Sequence, residues 1–600
     1  MTRTLVIILL FFHSTAFNQQ FTGINTTVTP VENSTTAWGD YDNDGDLDLA
    51  ISGTKYNGTN NINLTHLYNN DGNGLLTLVD TTSFPAMYNG HLQWADFNQD
   101  NLIDLLLVGF DTDNWQETAQ IYENQGNGIF SEMSNTNLVP VQGASVSCND
   151  FDNDGDIDIF ISGNATMMGF GRYACMYFNA GNGNFEPVNS FIGVTGGSSM
   201  ESGDFDGDGD NDLIYSGIYL SPSQRITKYY TNLGNGNFID DTSSMFVGVH
   251  AGSISAADFD NDGDLDILIS GWEESIDENT RLYENFGNGL FQENTSINLI
   301  GLINCDINWG DYDVDGDLDI LMTGSSNNNN QQHTKIYENQ GSGNFTELIN
   351  TGLQNIFSGT SDWVDIDNDD DLDIFISGRG NNNTDQHSKL YRNWNSTPNL
   401  KPNAPTDLTT RVNGNSITLS WARANDHTTP QPSLSYNYYL NRIEDSYYSC
   451  SPLSDFGTGN RKVLHYGNTS LDTCWTIKDL SPGNYRWSVQ SIDNCYTGSI
   501  FAEEQMFTVE DYSELCFNIY PVPSYNLLTI NVQSPFTGDM NIEIRNVMGQ
   551  PVFSETYAIV ENIEWQKELQ LTKIASGYYN ITITVNNQVI SKSVIILGND

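Results

Sequence analysis

The stretch DYDNDGDLDLAISG, residues 40–53, sets an Asp at every second position from Asp40 to Asp48 and then turns into an apolar alternating run. Five carboxylates in nine residues repel one another, so the pattern calls for something that offsets the repulsion. It also recurs. The same cluster returns as DFNQDNLID from Asp96, DFDNDGDID from Asp150, DFDGDGDND from Asp204, DFDNDGDLD from Asp258, DYDVDGDLD from Asp311 and DIDNDDDLD from Asp365. Successive starts lie 56, 54, 54, 54, 53 and 54 residues apart, a seven-fold repeat.

Each unit predicts four short strands. The cluster is followed by an alternating apolar run ending in Gly, as in LDILISG to Gly271, which reads as a strand because apolar residues recur at every second position. A second strand centres on a Tyr and an Asn (RLYEN, KIYEN, KLYRN), a Gly-Asn-Gly type turn restarts the chain, and a last strand leads into the next cluster. Seven units of four strands are what a β-propeller requires. The chain opens on FTGINTT from Phe21, which matches the segment after each Gly-Asn-Gly turn, whereas the seventh unit stops at YRNWN without that turn. The N-terminal segment is therefore expected to supply the outer strand of the last blade and close the ring, hiding the edges of an open array.

Within each nine-residue cluster, positions 1, 3, 5 and 9 are Asp, apart from Asn98 at position 3 of the second. Oxygen ligands at alternating positions suit calcium, which takes about 6 to 8 of them at about 2.3–2.6 Å, one being the carbonyl at position 7. Position 6 must turn sharply. It is Gly45, Gly155, Gly209, Gly263 and Gly316 in five units, and Asn101 or Asp370 in the others, residues that tolerate a left-handed backbone. An EF-hand shares this start but needs a Glu at position 12 and flanking helices; position 12 here is Ile51, Leu107, Ile161, Tyr215, Ile269, Met322 or Ile376, on a strand pattern.

The clusters resemble the FG-GAP or VCBS-type calcium repeats of integrin-alpha-like propellers over residues 21–396. The resemblance implies calcium on one face of a seven-bladed propeller, held by Asp40, Asp42, Asp44 and Asp48; Asp96, Asn98, Asp100 and Asp104; Asp150, Asp152, Asp154 and Asp158; Asp204, Asp206, Asp208 and Asp212; Asp258, Asp260, Asp262 and Asp266; Asp311, Asp313, Asp315 and Asp319; and Asp365, Asp367, Asp369 and Asp373. Up to seven ions would move the formal charge from -55 to -41. Calcium is then chiefly structural, and its stabilisation follows mass action.

The rest of the chain bounds the setting. MTRTLVIILLFFHSTA has a basic start, a short apolar run and Ser14-x-Ala16, which read as a signal peptide over residues 1–16. No later run approaches the roughly 20 apolar residues of a transmembrane helix. Lys+Arg of 22 against Asp+Glu of 77 argues against nucleic acid as partner. Cys148, Cys175 and Cys305 read as buried small residues, while Cys450, Cys474, Cys495 and Cys516 allow up to two bridges whose pairing is open.

From Pro402 the texture changes to a small β-sandwich over residues 402–511, which resembles a fibronectin type III module on Pro405, Trp421 and LSPGNYRWSVQSID from Leu480. No binding motif stands out in it, and a rigid spacer is the expected role. Residues 515–600 form a second small β-sandwich that resembles the type A sorting domain of the type IX secretion system, on Tyr520 to Pro523, Gly549 and Ser576 to Tyr579, with Val522 and a single late basic residue, Lys592, as departures. That resemblance implies an outer-membrane bacterium, secretion machinery as partner, and delivery to the cell surface or medium.

No nucleophile motif or recurrent His appears; His333 and His387 occupy matching places, as strand-surface residues. The expected protein is all-β, a seven-bladed propeller followed by two small sandwiches. It is read as a monomeric, non-catalytic binding protein whose loops away from the calcium engage a glycan or protein. The alternative is a calcium-stabilised polysaccharide-degrading enzyme, which the even repeat spacing disfavours because no blade has room for a catalytic insertion.

Overall fold

A computed structural model describes residues 20–597 apart from 80, 81, 83, 170, 182, 191–194, 220–223, 235, 242–245, 275–276, 327–330, 342, 382–383, 396, 446, 511–514, 526, 561–564 and 587. The signal segment expected at residues 1–16 lies outside the described residues.

Among the described residues, seven four-stranded antiparallel sheets account for the repeats. The fifth is typical: Val249–Ala257, Asp266–Glu273, Asp277–Asn285 and Phe291–Glu293 follow one another across the sheet. First strands of neighbouring sheets touch in a closed cycle, and the last, Phe357–Val364, returns to the first, Glu32–Gly39. The body is thus a β-propeller with the first strands around its axis. Phe21–Ile24 pairs with Gln386–Asn393, Phe21 opposite Asn393, so the N-terminal segment does complete the seventh sheet.

The second strands carry the core. Ile267, Leu268 and Ile269 are fully buried, as are their counterparts Ile374, Phe375 and Ile376. Both faces of these strands are covered by neighbouring sheets, which is why the apolar run outlasts simple alternation; each such side chain contributes about 1.5–3 kcal/mol.

A sandwich of two three-stranded sheets follows, packed around Trp421, Trp475 and Trp487. It is not held apart as a spacer. The segment between strands Ser435–Arg442 and Cys474–Ile477 and the turn around Asn494 rest on the propeller: Asp40 N donates to Lys462 O at 3.0 Å and Asp311 N to Asn494 O at 3.1 Å. The last unit packs a three-stranded sheet on a five-stranded one around Leu528, Ile530, Ile542, Ile581 and Ile583. All seven cysteines are free, Cys450 and Cys495 buried, Cys474 and Cys516 exposed. Among the described residues no helix is long and apolar enough to cross a membrane.

Candidate metal centre

Each Asp-rich loop joins the first strand of a sheet to its second, so all seven lie at one end of the propeller. In the first loop Asp40 Oδ1 accepts from Asp44 N at 3.0 Å, Asp40 Oδ2 from Gly45 N at 3.2 Å, and Asp44 Oδ1 from Asp46 N at 3.2 Å. The same three bonds recur in the fifth and sixth loops. The position-9 carboxylate ties the loop to its sheet: Asp266 Oδ1 accepts from Asn285 N at 2.7 Å and Oδ2 from Phe259 N at 3.2 Å.

Two left-handed residues wind each loop. Position 6 is one, with Gly45 at φ 97°, Asn101 at 70° and Asp370 at 65°; position 4 is the other, with Asn43 at 59°, Gln99 at 62°, Asn153 at 61° and Val314 at 60°. The spacing of the Asp residues identifies only position 6. Position 4 also links loops around the ring, because its side chain reaches the position-7 carboxylate of the next loop: Asn153 Nδ2 to Asp210 Oδ1 and Asn261 Nδ2 to Asp317 Oδ1, both at 2.7 Å, Gln99 to Asp156, and Asn368 to Asp46 across the closing seam.

The position-3 carboxylates are the informative ones. Asp42, Asp206, Asp260, Asp313 and Asp367 each bury Oδ1 without a hydrogen-bond partner. A buried carboxylate oxygen left bare is costly, and here the same atom is bare in five loops. Asp40, Asp42 and Asp48; Asp150, Asp152 and Asp158; Asp204, Asp206 and Asp212; Asp258, Asp260 and Asp262; and Asp311, Asp313 and Asp315 each bring one oxygen apiece within 4.8 Å of the others. Ligand atoms about 2.4 Å from a common ion reach that separation at most, so the groups are compatible with calcium. Burial first, then neighbouring carboxylates, lift Asp40 to about 7, Asp258 to about 7 and Asp313 to about 7, and Asp48 and Asp373 to about 9. A cation would remove that penalty.

Two loops differ. Asn98 Nδ2 is spent on Asp100 and Glu123 in the second, and Asp367 in the seventh pairs with Arg392.

The recurrent Asn of the YEN segments has a role that the spacing of the Asp residues does not reveal. Asn285, fully buried, donates to Leu265 O of its own blade at 3.1 Å and to Phe205 O of the preceding loop at 2.8 Å, and accepts from Gly287 N at 3.1 Å. Asn124, Asn179, Asn232, Asn339 and Asn393 do likewise one blade back, and Asn70 reaches Ile366 O to staple the first blade to the seventh.

The second-to-third strand turns lie at the other end. There Trp115 is 71% exposed and packs edge-on against Phe110 at 5.4 Å. It flanks a groove of about 780 Å³ whose lining includes Asn114, Gln116, Gln120, Glu132, Asn135 and Asn137, with Met167 and Met168 from the next blade. Glu117 beneath is occupied: its carboxylate accepts from Thr166 N at 3.0 Å, Thr166 Oγ1 at 2.6 Å and Met167 N at 3.0 Å.

In comparison with known families, residues 40–107, 96–161, 150–215, 204–269 and 311–376 match the FG-GAP-like repeat, and residues 518–597 match the secretion system C-terminal sorting domain. No curated protein matches the sequence. Among solved structures, the FN1–FN3 domains of chicken CNTN1 align at 11% identity over 49% of this chain and 98% of that one, with a TM-score of 0.17, too loose a superposition to bear on either sandwich.

Proposed function

We propose, for a chain that carries five matched FG-GAP-like repeats and ends in a secretion system C-terminal sorting domain, that it is a calcium-stabilised surface or secreted propeller that binds neutral glycans without cleaving them. The sorting domain directs it through type IX secretion to the cell surface or beyond. Calcium in the Asp-rich loops holds the propeller rigid, with positions 1, 3, 5 and 9 as side-chain ligands; the bare position-3 oxygens support this. The second and seventh loops are the weakest sites.

The ligand reading rests on one observation, the exposed Trp115 in its amide-lined groove. An indole face stacks on the C–H face of a sugar ring, and Asn and Gln side chains both donate to and accept from hydroxyls. Among the described residues no Lys or Arg lines the groove while Glu132 does, which disfavours an anionic ligand, and Glu117, the groove's other carboxylate, is committed to the neighbouring blade, which leaves no free pair of carboxylates for hydrolysis. The test is titration of neutral oligosaccharides into the full exported chain and its Trp115→Ala variant. A loss of at least tenfold in affinity, with unchanged melting temperature, is expected; equal affinity in both proteins removes the groove from consideration.

A further inference from the structure

The expected spacer touches the metal loops all round the ring. Tyr448 N donates to Gln99 O at 3.1 Å and Lys462 Nζ to Asn101 O at 2.6 Å in the second loop. Lys478 N donates to Asn153 O at 2.7 Å in the third, and its ammonium pairs with Asp210 of the fourth at 3.3 Å. Ser433 Oγ donates to Asp258 Oδ2 at 2.8 Å in the fifth, and Asn494 Nδ2 to Gly316 O at 3.2 Å in the sixth. With Lys462 O on Asp40 N in the first, six loops hold the module by hydrogen bonds or an ion pair, and Lys401, just ahead of the module, acts electrostatically on Asp370 in the seventh.

Most of the carbonyls used belong to positions 4 and 6, the left-handed residues. They point at the module only while the loop is wound, and winding packs carboxylates together. We propose that residues 402–511 form a cap whose seating on the propeller and the loading of the Asp-rich loops with divalent cations are one coupled equilibrium, so that chelation lifts the cap. The inference rests on the metal reading above. The module's lysines would by themselves favour seating on bare acidic loops; the winding of the loops makes the contact conditional. Asp472, which the module sets in hydrogen-bonding reach of Asp204, adds a further carboxylate to the fourth loop. Under the cap, Trp38, Trp94, Trp309 and Trp363 line a cavity of about 240 Å³ closed by Tyr466 and Tyr496; lifting the cap opens it. By linkage, a lesion at the contact must weaken ion binding as much as ion loss weakens the contact.

Three cysteines report the separate parts. Cys495 Sγ sits against Asp311 O at 3.2 Å and Cys450 lies beside the Gly155 loop, both at the contact under the cap, whereas Cys175 lies in the propeller's core. The full exported chain is dialysed against calcium or chelator, bound ions are counted, and a thiol reagent is applied with labelling read residue by residue. Chelation is expected to raise Cys495 labelling at least tenfold while Cys175 stays protected. Gly155→Ala and Gly45→Ala give a matched pair: φ is 98° and 97°, yet the added methyl lies 2.3 Å from Ser449 O in the first and no nearer than 3.7 Å to Asn460 in the second. In calcium, Gly155→Ala should expose Cys495 and lower ion affinity relative to Gly45→Ala. Bound ions with Cys495 labelling unchanged by chelation overturn the cap and leave the metal reading standing, as does joint exposure of Cys495 and Cys175. No bound ions overturn both.

Discussion

Replacing Asn285 by Ala tests the stapling of blade to blade. The side chain is fully buried, donates to Phe205 O and Leu265 O and accepts from Gly287 N. Phe205 and Leu265 are themselves buried, whereas Gly287 is half-buried and its N–H can find water. Leu265 O loses its donor at about 1–3 kcal/mol, while Phe205 O keeps the Gly289 N–H at 3.2 Å, for a total of about 2 kcal/mol. With an unfolding entropy of about 2 cal/mol/K per residue over roughly 370 propeller residues, that is a fall of about 3 °C in Tm. Calorimetry in saturating calcium measures it on the propeller transition. Asn285→Asp, which sets an anion against the same two carbonyls, should fall further. A change below about 1 °C in the Ala variant would refute the claim that these bonds hold neighbouring blades together.

Asp260→Asn removes a charge from a position whose Oδ1 has no partner; one ion fewer should bind, stability in calcium should drop by about 2–3 kcal/mol when the ion was present at a hundred times its Kd, and stability in chelator should hold or rise. A drop in both conditions would mean that the carboxylate serves the fold without a metal. The pH response of the ion-free chain has a definite sign. Asp40 and Asp258 rise to about 7 and Asp48 and Asp373 to about 9 from 3.8, so the folded state binds more protons than the unfolded one across that window, and stability present below 3.8 is lost as pH climbs toward 9. Melting in chelator should therefore weaken from pH 5 to pH 9 while the gain from added calcium grows; a flat profile would contradict the buried, mutually repelling carboxylates. Gly45→Ala should cost about 1 kcal/mol through its backbone alone, as read by melting in calcium.

The propeller was legible because its signals are local. Asp at alternate positions, Gly at position 6 and the orphan segment at Phe21 each sit within a few residues of what they specify. Asn285 was visible in its YEN run, but its partner Phe205 lies in another blade, and no local pattern reports a bond to a distant carbonyl. Val314 hid the left-handed position 4, because a β-branched residue is the last type expected at φ 60°. Seating of the second module was illegible for a related reason: Ser433, Tyr448, Lys462, Lys478 and Asn494 are scattered over the module, and only the folded chain gathers them. The Trp115 groove draws on two blades and escaped for the same cause.

The strand Phe21–Ile24 has a consequence for timing. A chain delivered N-terminus first presents this strand at the outset and its partner, Gln386–Asn393, only after the other six sheets. Until Asn393 emerges the molecule is an open arc with an unpaired edge at each end, the state most prone to join a neighbouring copy. Emergence of the seventh blade is therefore the moment at which the chain becomes safe from its neighbours, and any extension left on Phe21 burdens that last step.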